Sequence, residues 1–310
     1  SPMSKPIIYA IVVTYNGAKW VDKCFGSLVN SSIPLKILAI DNASSDGTPK
    51  LIRKQFPVVE IIETGSNLGF GKANNIGLKR VLGENADYAF LLNQDAWVEP
   101  DTIAKLVEVQ QKHPEFGILS PLPYDGEGKE LDRQFKLYYS KPHTIGNICF
   151  NKENKVYEVP FINAAGWLTT YNTIKKVGLF YDLFFHRGED VDYVNRCHFY
   201  NEKIGFHVGS KYYHDRKHVW HKETSKQKQF ENIQNKLNVI LNNINESALK
   251  RVKTFLSWIR SLYISKKITL SQLIFLIIKY IFKGPQIIYK SELLKSPYYK
   301  SKEKSTIKNE

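Results

Sequence analysis

Short apolar runs of strand length punctuate the N-terminal third of the chain: Ile7 to Val13, Leu35 to Ile40, Val58 to Ile62 and Tyr88 to Leu92. Each ends in polar or glycine residues, the pattern of buried strands feeding turns. Between them Trp20, Cys24 and Leu28, and then Leu51, Ile52 and Phe56, recur at helical spacing. The alternation predicts the order β-α-β-α-β-α-β and an α/β class, with a largely parallel sheet covered by helices on both faces. Such sheets hold ligands beyond the carboxyl ends of their strands. Thr14-Tyr15-Asn16-Gly17, the run from Asp41 to Thr48, and Asn93-Gln94-Asp95 fall at those ends.

Further along, the pattern loosens between Tyr124 and Pro160 into Gly, Lys, Asn and Pro-containing segments, read as long loops that shape an acceptor site. Phe230, Ile233, Leu237, Ile240, Leu241 and Ile244 then return to helical spacing. Two amphipathic helices follow. Val252, Phe255, Trp258, Ile259 and Leu262 form the stripe of one, and Leu270, Leu273, Ile274, Ile277, Ile278 and Ile281 that of the other.

Charge changes the picture of this tail. The 310 residues carry a net charge of +14, and from Arg251 to Glu310 thirteen Lys or Arg stand against three Glu. The apolar segment from Ile268 to Phe282 is shorter than the ~20 residues a spanning helix needs and contains Lys279. It reads as an interfacial helix at an anionic membrane surface, with helices packed on the domain or a homodimer as the bland alternatives. Nucleic acid is disfavoured because the tail is rich in apolar residues and lacks a nucleic-acid motif. Cys24, Cys149 and Cys197 are odd in number and unpaired in spacing, which points to a reducing cytoplasm. Ser1-Pro2 ahead of Met3 reads as an expression scar, and the first apolar run is too short for a signal-peptide core.

The candidate chemistry lies in two acidic clusters. Asn93-Gln94-Asp95 leaves a strand, and magnesium or manganese is held by few carboxylates together with substrate phosphates, so one Asp there is chemically sufficient. Glu189-Asp190-Val191-Asp192 opens a helix behind the aromatic stretch Phe180 to Phe185. Helix dipoles favour acids at that end in any protein, but Arg196 sits at the spacing that orients one acid and leaves another free as a base. Asp41 can accept from a nucleobase or ribose, or simply cap a turn. The loop from Gly65 to Gly77 suits a diphosphate at a helix start, and it lacks the Gly-x-Gly-x-x-Gly of dinucleotide enzymes. Of His207, His214, His218 and His221, His214 is best placed to help a metal or diphosphate, and zinc ranks below that.

In order, Val12-Val13-Thr14-Tyr15-Asn16-Gly17, Asp41 to Thr48, Asn67-Leu68-Gly69-Phe70, Leu92-Asn93-Gln94-Asp95, Ala165-Gly166-Trp167, Gly178-Leu179-Phe180 and Glu189 to Asp192 resemble family-2 glycosyltransferases of the GT-A fold. The resemblance implies a GT-A catalytic domain over 1–225, with its nucleotide-sugar half at about 1–100 and acceptor half at about 101–225, and a helical basic region over 226–310. It further implies inverting transfer of a sugar from a UDP- or dTDP-sugar to a hydroxyl of a glycolipid or surface-polysaccharide acceptor, at the inner face of the cell membrane. Thr14, Asn16, Asp41, Asn67, Asn74, Asn93, Gln94 and Asp95 would bind the nucleotide sugar. Asp95, aided by His214, would hold Mn or Mg, and Asp190 would be the base, supported by Glu189 and Asp192. Ala165, Gly166, Trp167 and Arg196 would border the acceptor. Asn93 stands where the family often has its first Asp, a variant similar to rhamnosyltransferase-like members. The competing classes are a sugar-nucleotide nucleotidyltransferase, which lacks its basic loop after the first strand, and a basic adaptor, which leaves the acids unexplained.

Overall fold

Strand β1 (Ile8–Thr14) shows why the first apolar run carries no polar alternation. Tyr9 and Ile11 pack into one core while Ile8, Ala10 and Val12 pack into another on the opposite face. A strand buried on both sides has no position at which water would reward a polar side chain. The computed structural model describes residues 4–138, 155–217 and 225–295. Cys149, His218, His221 and part of the expected loop region lie outside the described residues.

The chain continues through α1 (Val21–Val29), β2 (Lys36–Asp41), α2 (Thr48–Gln55), β3 (Glu60–Glu63), α3 (Phe70–Gly83), β4 (Tyr88–Leu92), β5 (Ala96–Val98), α4 (Thr102–Lys112) and β6 (Phe116–Asp125). Then come α5 (Arg133–Tyr138), β7 (Val156–Glu158), β8 (Gly166–Thr170), α6 (Tyr171–Val177), α7 (Glu189–Phe199) and β9 (Lys203–His214). Eight strands run in the order β3-β2-β1-β4-β8-β6-β9-β5, with β7 added to β9. The β3-β2-β1-β4 half is parallel, β8 runs antiparallel to both β4 and β6, and β6 and β9 are parallel again. The sheet is therefore mixed, in an α/β molecule of the expected class. The stretch from Tyr124 to Pro160 is not simply loop, because the end of β6, α5 and β7 lie within it.

In the parallel half β1 lies between β2 and β4, so the connections leaving it and β2 diverge from the one leaving β4 and open a crevice at their carboxyl ends. Close packing fixes the helix behind that crevice. A Cβ on Gly77 of α3 would come within 2.5 Å of Ile11 Cδ1, so only glycine allows this approach of helix to sheet.

Three further helices, α8 (Lys226–Asn242), α9 (Ala248–Ile264) and α10 (Leu270–Leu293), form a bundle with its own core of Leu237, Leu241, Phe255, Ile259, Leu276 and Tyr280. Each begins at a hydroxyl cap. Ser225 accepts from Lys228 N, Ser247 from Lys250 N, and Thr269 with Gln272 closes a reciprocal capping box. α10 is longer than the expected apolar segment, and no helix among the described residues is long and apolar enough to cross a membrane.

The bundle is joined to α7 by polar groups. Asn242 Nδ2 donates to Asp192 Oδ1, Asn245 Nδ2 donates to Asn195 O at 2.7 Å, and Asn235 Nδ2 donates to His186 O at 2.6 Å. Arg251, fully buried in the bundle, donates to Leu241 O at 2.9 Å and Ser291 Oγ at 2.6 Å and pairs with Glu292.

Candidate active site

The crevice is built from chain reversals that hold one another. Asp41, at the end of β2, is buried and spends both carboxylate oxygens locally. Oδ1 accepts from Thr14 Oγ1 and Ser44 Oγ, each at 2.6 Å, and Oδ2 accepts from Ser44 N at 2.9 Å. Asn16 lies in the left-handed region (φ 46°) that Asn tolerates better than most residues. Its Oδ1 accepts from Ser45 N at 2.8 Å, tying the loop after β1 to the loop after β2.

On the other flank, Gln94 clamps the same loop from β4. Its Oε1 accepts from Tyr15 N at 2.9 Å and its Nε2 donates to Tyr15 O at 3.0 Å. A Cβ at Gly17 would sit 2.1 Å from Gln94 Oε1, so the clamp requires glycine there. Thr14, Asn16, Asp41 and Gln94 thus converge on one rim.

The start of α3 supplies the floor. Asn67 Oδ1 accepts from Gly69 N at 3.0 Å, and Asn74 Nδ2 donates to Phe70 O at 3.0 Å. Both side chains serve the backbone of this helix start. Asn42, which the sequence reading passed over, is buried and bridges β2 to the same turn. It donates to Gly69 O at 3.1 Å and accepts from Leu68 N at 3.3 Å. Gly69 has φ +81°, and a Cβ there would lie 2.4 Å from Phe185 O; at Gly71 it would lie 3.7 Å from Glu189 Cβ. The glycines thus bring the helix start against the acidic cluster of α7.

In that cluster Asp190 is half-buried, accepting from Val191 N at 2.8 Å and Ala164 N at 3.5 Å. Burial pushes its carboxyl above the usual range despite those bonds. Glu189 is 8% exposed, and its Oε2 has no hydrogen-bond partner. Burial, with Asp190 beside it, pushes Glu189 up to about 8. Starting from an ordinary value of 4.5, the folded chain keeps a proton between about pH 4.5 and 8 that the unfolded chain has lost. Stability therefore falls as pH rises through that window, by at most about 1.4 kcal/mol per unit. Glu189→Gln should be more stable relative to the parent at pH 8 than at pH 5, by about 1–3 kcal/mol in denaturant titrations; an equal difference at both pH values would refute the buried acid.

Asp192 does not share the crevice. Fully buried, it pairs with Arg196 Nε at 3.2 Å and accepts from Asn242, while Arg196 donates to Val177 O at 3.1 Å and Leu179 O at 2.7 Å. This corrects the acceptor reading of Arg196, which is 1% exposed and is a bracket between α6, α7 and the bundle. The same correction applies to Ala165, Gly166 and Trp167. All are buried; Gly166 and Trp167 lie in β8, an inner strand covered on both faces, and the Trp167 ring packs against Phe180 and Tyr193.

The remaining corner gathers Asn93, Asp95 and His214. Asn93 N donates to Ala165 O at 3.0 Å, and its buried Oδ1 has no partner. β5 pairs antiparallel with the end of β9, which brings His214 Nε2 to 3.0 Å from Asp95 Oδ1. Arg216 Nε lies 3.1 Å from His214 Nδ1 and 3.0 Å from the buried Asp132. Arginine can only donate, so the neutral imidazole carries its proton on Nε2 and gives it to Asp95. Asp132, Arg216 and Asp215, whose Oδ2 accepts from Trp20 Nε1 at 3.1 Å, complete this corner; sequence spacing gave no sign of them.

Among the described residues no group of three or more His, Cys, Asp or Glu is arranged to hold a metal. One carboxylate beside one imidazole, as in Asp95 and His214, is the kind of donor set that hard cations complete with phosphate and water ligands. For His214 itself to ligate through Nε2, Arg216 must turn away from Nδ1 so that the ring proton can move there.

Residues 9–168 match the family model described as Glycosyl transferase family 2. The chain belongs to glycosyl transferase family 2. Within this family it is similar to the N-acetylglucosaminyl-diphospho-decaprenol L-rhamnosyltransferase of Mycobacterium tuberculosis, 31% identical over 132 residues that cover 39% of this chain and 43% of that one. It is also similar to the low-salt glycan biosynthesis hexosyltransferase Agl10 of Haloferax volcanii, 21% identical over 63% of this chain and 62% of the relative. The match thus spans less than half the length of the rhamnosyltransferase. Among solved structures, S. aureus TarS 1-349 in complex with UDP-GlcNAc superposes with a TM-score of 0.61 at 16% identity, covering 98% of this chain and 92% of that one. Mannosyltransferase PcManGT from Pyrobaculum calidifontis, in complex with GDP-Man and Mn2+, gives 0.58 at 14% identity, covering 97% and 87%. At these identities the likeness is one of fold, and the fold of this family-2 chain is the GT-A fold.

Proposed function

We propose that this chain is an inverting glycosyltransferase that moves a sugar from a nucleoside diphosphate to a hydroxyl of a lipid-linked or growing polysaccharide acceptor. The observation that carries this reading is the seam at Gly69 and Gly71, where an added Cβ on Gly71 would lie 3.7 Å from Glu189 Cβ, so that the start of α3 lies close to the acidic start of α7 and Asp190. A donor lying along the crevice then ends beside a carboxylate that burial has made more basic than usual.

In the proposed reaction Asp190 takes the proton of the acceptor hydroxyl as that oxygen attacks the anomeric carbon from the face opposite the diphosphate. The bond from the anomeric carbon to the diphosphate oxygen breaks, and the nucleoside diphosphate leaves with the electron pair. A carboxylate with a raised pKa accepts that proton more readily than an ordinary one. Glu189, protonated near neutrality, adds no second negative charge beside the base and can donate a hydrogen bond to a sugar oxygen. The rim that Thr14, Asn16, Asp41 and Gln94 hold in shape binds the nucleotide, and Asp95, held by His214, receives the metal diphosphate. A bound Mn or Mg ion neutralises charge developing on the leaving diphosphate.

The relatives support a lipid-linked acceptor, since one is named for a diphospho-decaprenol substrate. The solved neighbours hold UDP-GlcNAc and GDP-Man, and the rhamnosyltransferase-like resemblance adds a dTDP-linked sugar. A thermal-shift panel of UDP-GlcNAc, dTDP-rhamnose and GDP-mannose, each with and without manganese, decides the donor. The true donor at about a hundredfold its Kd adds about 2.7 kcal/mol and raises Tm by about 5 °C. Asp95→Ala should abolish the manganese-dependent part of that shift. A full shift in the variant would remove Asp95 from the site, and no shift with any nucleotide sugar would remove the reading itself.

A further inference from the structure

The outer face of the C-terminal bundle is covered by nothing else in the described chain. α9 and α10 diverge along a groove of about 540 Å³. Leu256 and Tyr263 on α9, and Ile277 and Ile281 on α10, both line this groove and stand exposed. The apolar stripes of the two helices therefore form one surface joined through the groove. Beyond its edge Phe282 is 71% and Ile264 66% exposed, far more than a monomer in water gains by leaving open. Of the ten Lys or Arg between Ala248 and Lys295, Lys253, Arg260, Lys266, Lys267, Lys283 and Lys290 are exposed, against the single acid Glu292. That acid is engaged by Arg251 and Lys295.

We propose that this face docks on a leaflet of anionic phospholipid, with an acyl chain occupying the groove between α9 and α10. Charge decides the occupant. In a two-fold dimer the same patch faces itself, which would set those six exposed cations against six, with Glu292 already engaged. An anionic leaflet supplies the opposite charge on its surface and hydrocarbon beneath it. The long aliphatic stems of lysine lie along such a boundary while their ammonium groups reach the phosphates. No described helix is long and apolar enough to span the bilayer, so the geometry is one of lying on the leaflet. The proposal stands independently of the sugar-transfer reading.

The test is flotation of the full chain with phosphatidylcholine vesicles, with and without phosphatidylglycerol. The parent should float only with phosphatidylglycerol and be released by salt, because screening weakens exposed charges. Ile281→Glu/Phe282→Glu, at two exposed positions that fold without burial, should lower vesicle affinity by at least about tenfold with Tm unchanged. Arg260→Gln/Lys283→Gln should lower it by about tenfold through charge alone. Binding that is equal in parent and the Glu variant, or absent in the parent, would overturn the proposal. A concentration-dependent dimer that Ile281→Glu/Phe282→Glu turns into a monomer, without vesicle binding, would assign the face to a second copy instead.

Discussion

Replacing Asp190 by Asn lowers the transfer rate about 10²–10⁴-fold while nucleotide-sugar binding stays within about twofold. Asn keeps the size of the side chain and can still accept from Val191 N through its amide oxygen, so the start of α7 is retained and only the proton acceptor is lost. Release of nucleoside diphosphate in the presence of acceptor measures the rate, and titration of donor fluorescence or heat measures binding. The pH dependence gives an independent check. Only the ionised carboxylate accepts a proton, and burial raises the pH at which Asp190 ionises. The rate of the parent therefore climbs with pH on the alkaline side of an ordinary aspartate, and that limb disappears in the variant. A variant with parental rates would assign the base elsewhere.

The second large effect is on stability. Asp192→Ala leaves the Arg196 guanidinium, 1% exposed, without its carboxylate, and takes from Asn242 its acceptor. Breaking a buried pair by removing one partner costs about 3–5 kcal/mol, most of it the cost of an uncompensated charge. Denaturant unfolding of Asp192→Ala should show that loss. The double variant Asp192→Leu/Arg196→Met, which removes both charges, should recover the part of that loss due to the uncompensated charge, while Asn242, Val177 O and Leu179 O remain without their partners. A loss under about 1 kcal/mol in the single variant would mean that the pair is solvated and that α7 is held by other contacts.

The parallel half of the sheet was legible because its signal is local. An uninterrupted apolar run such as Ile8 to Val12 can be buried only between two layers, and the polar residues after it mark the turn. Neighbouring positions in the rim were legible for the same reason. Thr14, Asn16 and Asp41 sit where strands end, and strand ends are where a parallel sheet keeps its crevice. What failed was the direction of side chains on elements whose cover comes from far away in sequence. Trp167 was itself read as bordering the acceptor, yet its ring faces Phe180 and Tyr193, and the alternation of β8 does not reveal which of two covered faces is which. Arg196 could be paired with Asp192 from helical spacing. Its burial depends on Asn242 and the bundle, fifty residues on. The corner of Asp132, Arg216 and His214 has no spacing signal because it forms across β6, β9 and the loops that follow them. β6 (Phe116–Asp125), with Pro121 and Pro123 inside its apolar run, was not among the predicted strands.

The contact between α8 and α7 bears on how chains of this kind can be recombined. Asn242 meets Asp192 on one turn of α8, and a Cβ on Gly188 would come within 3.3 Å of Val239 on the turn before. A chimera that grafts this bundle onto another family member's catalytic half would carry Asn242 to a helix with no matching carboxylate, or leave an Asp192–Arg196 pair with one side open. The residues at 188, 192, 196, 239 and 242 therefore form one packed unit that joins α7 to α8. Exchange of whole bundles between relatives should succeed only where those five positions travel together.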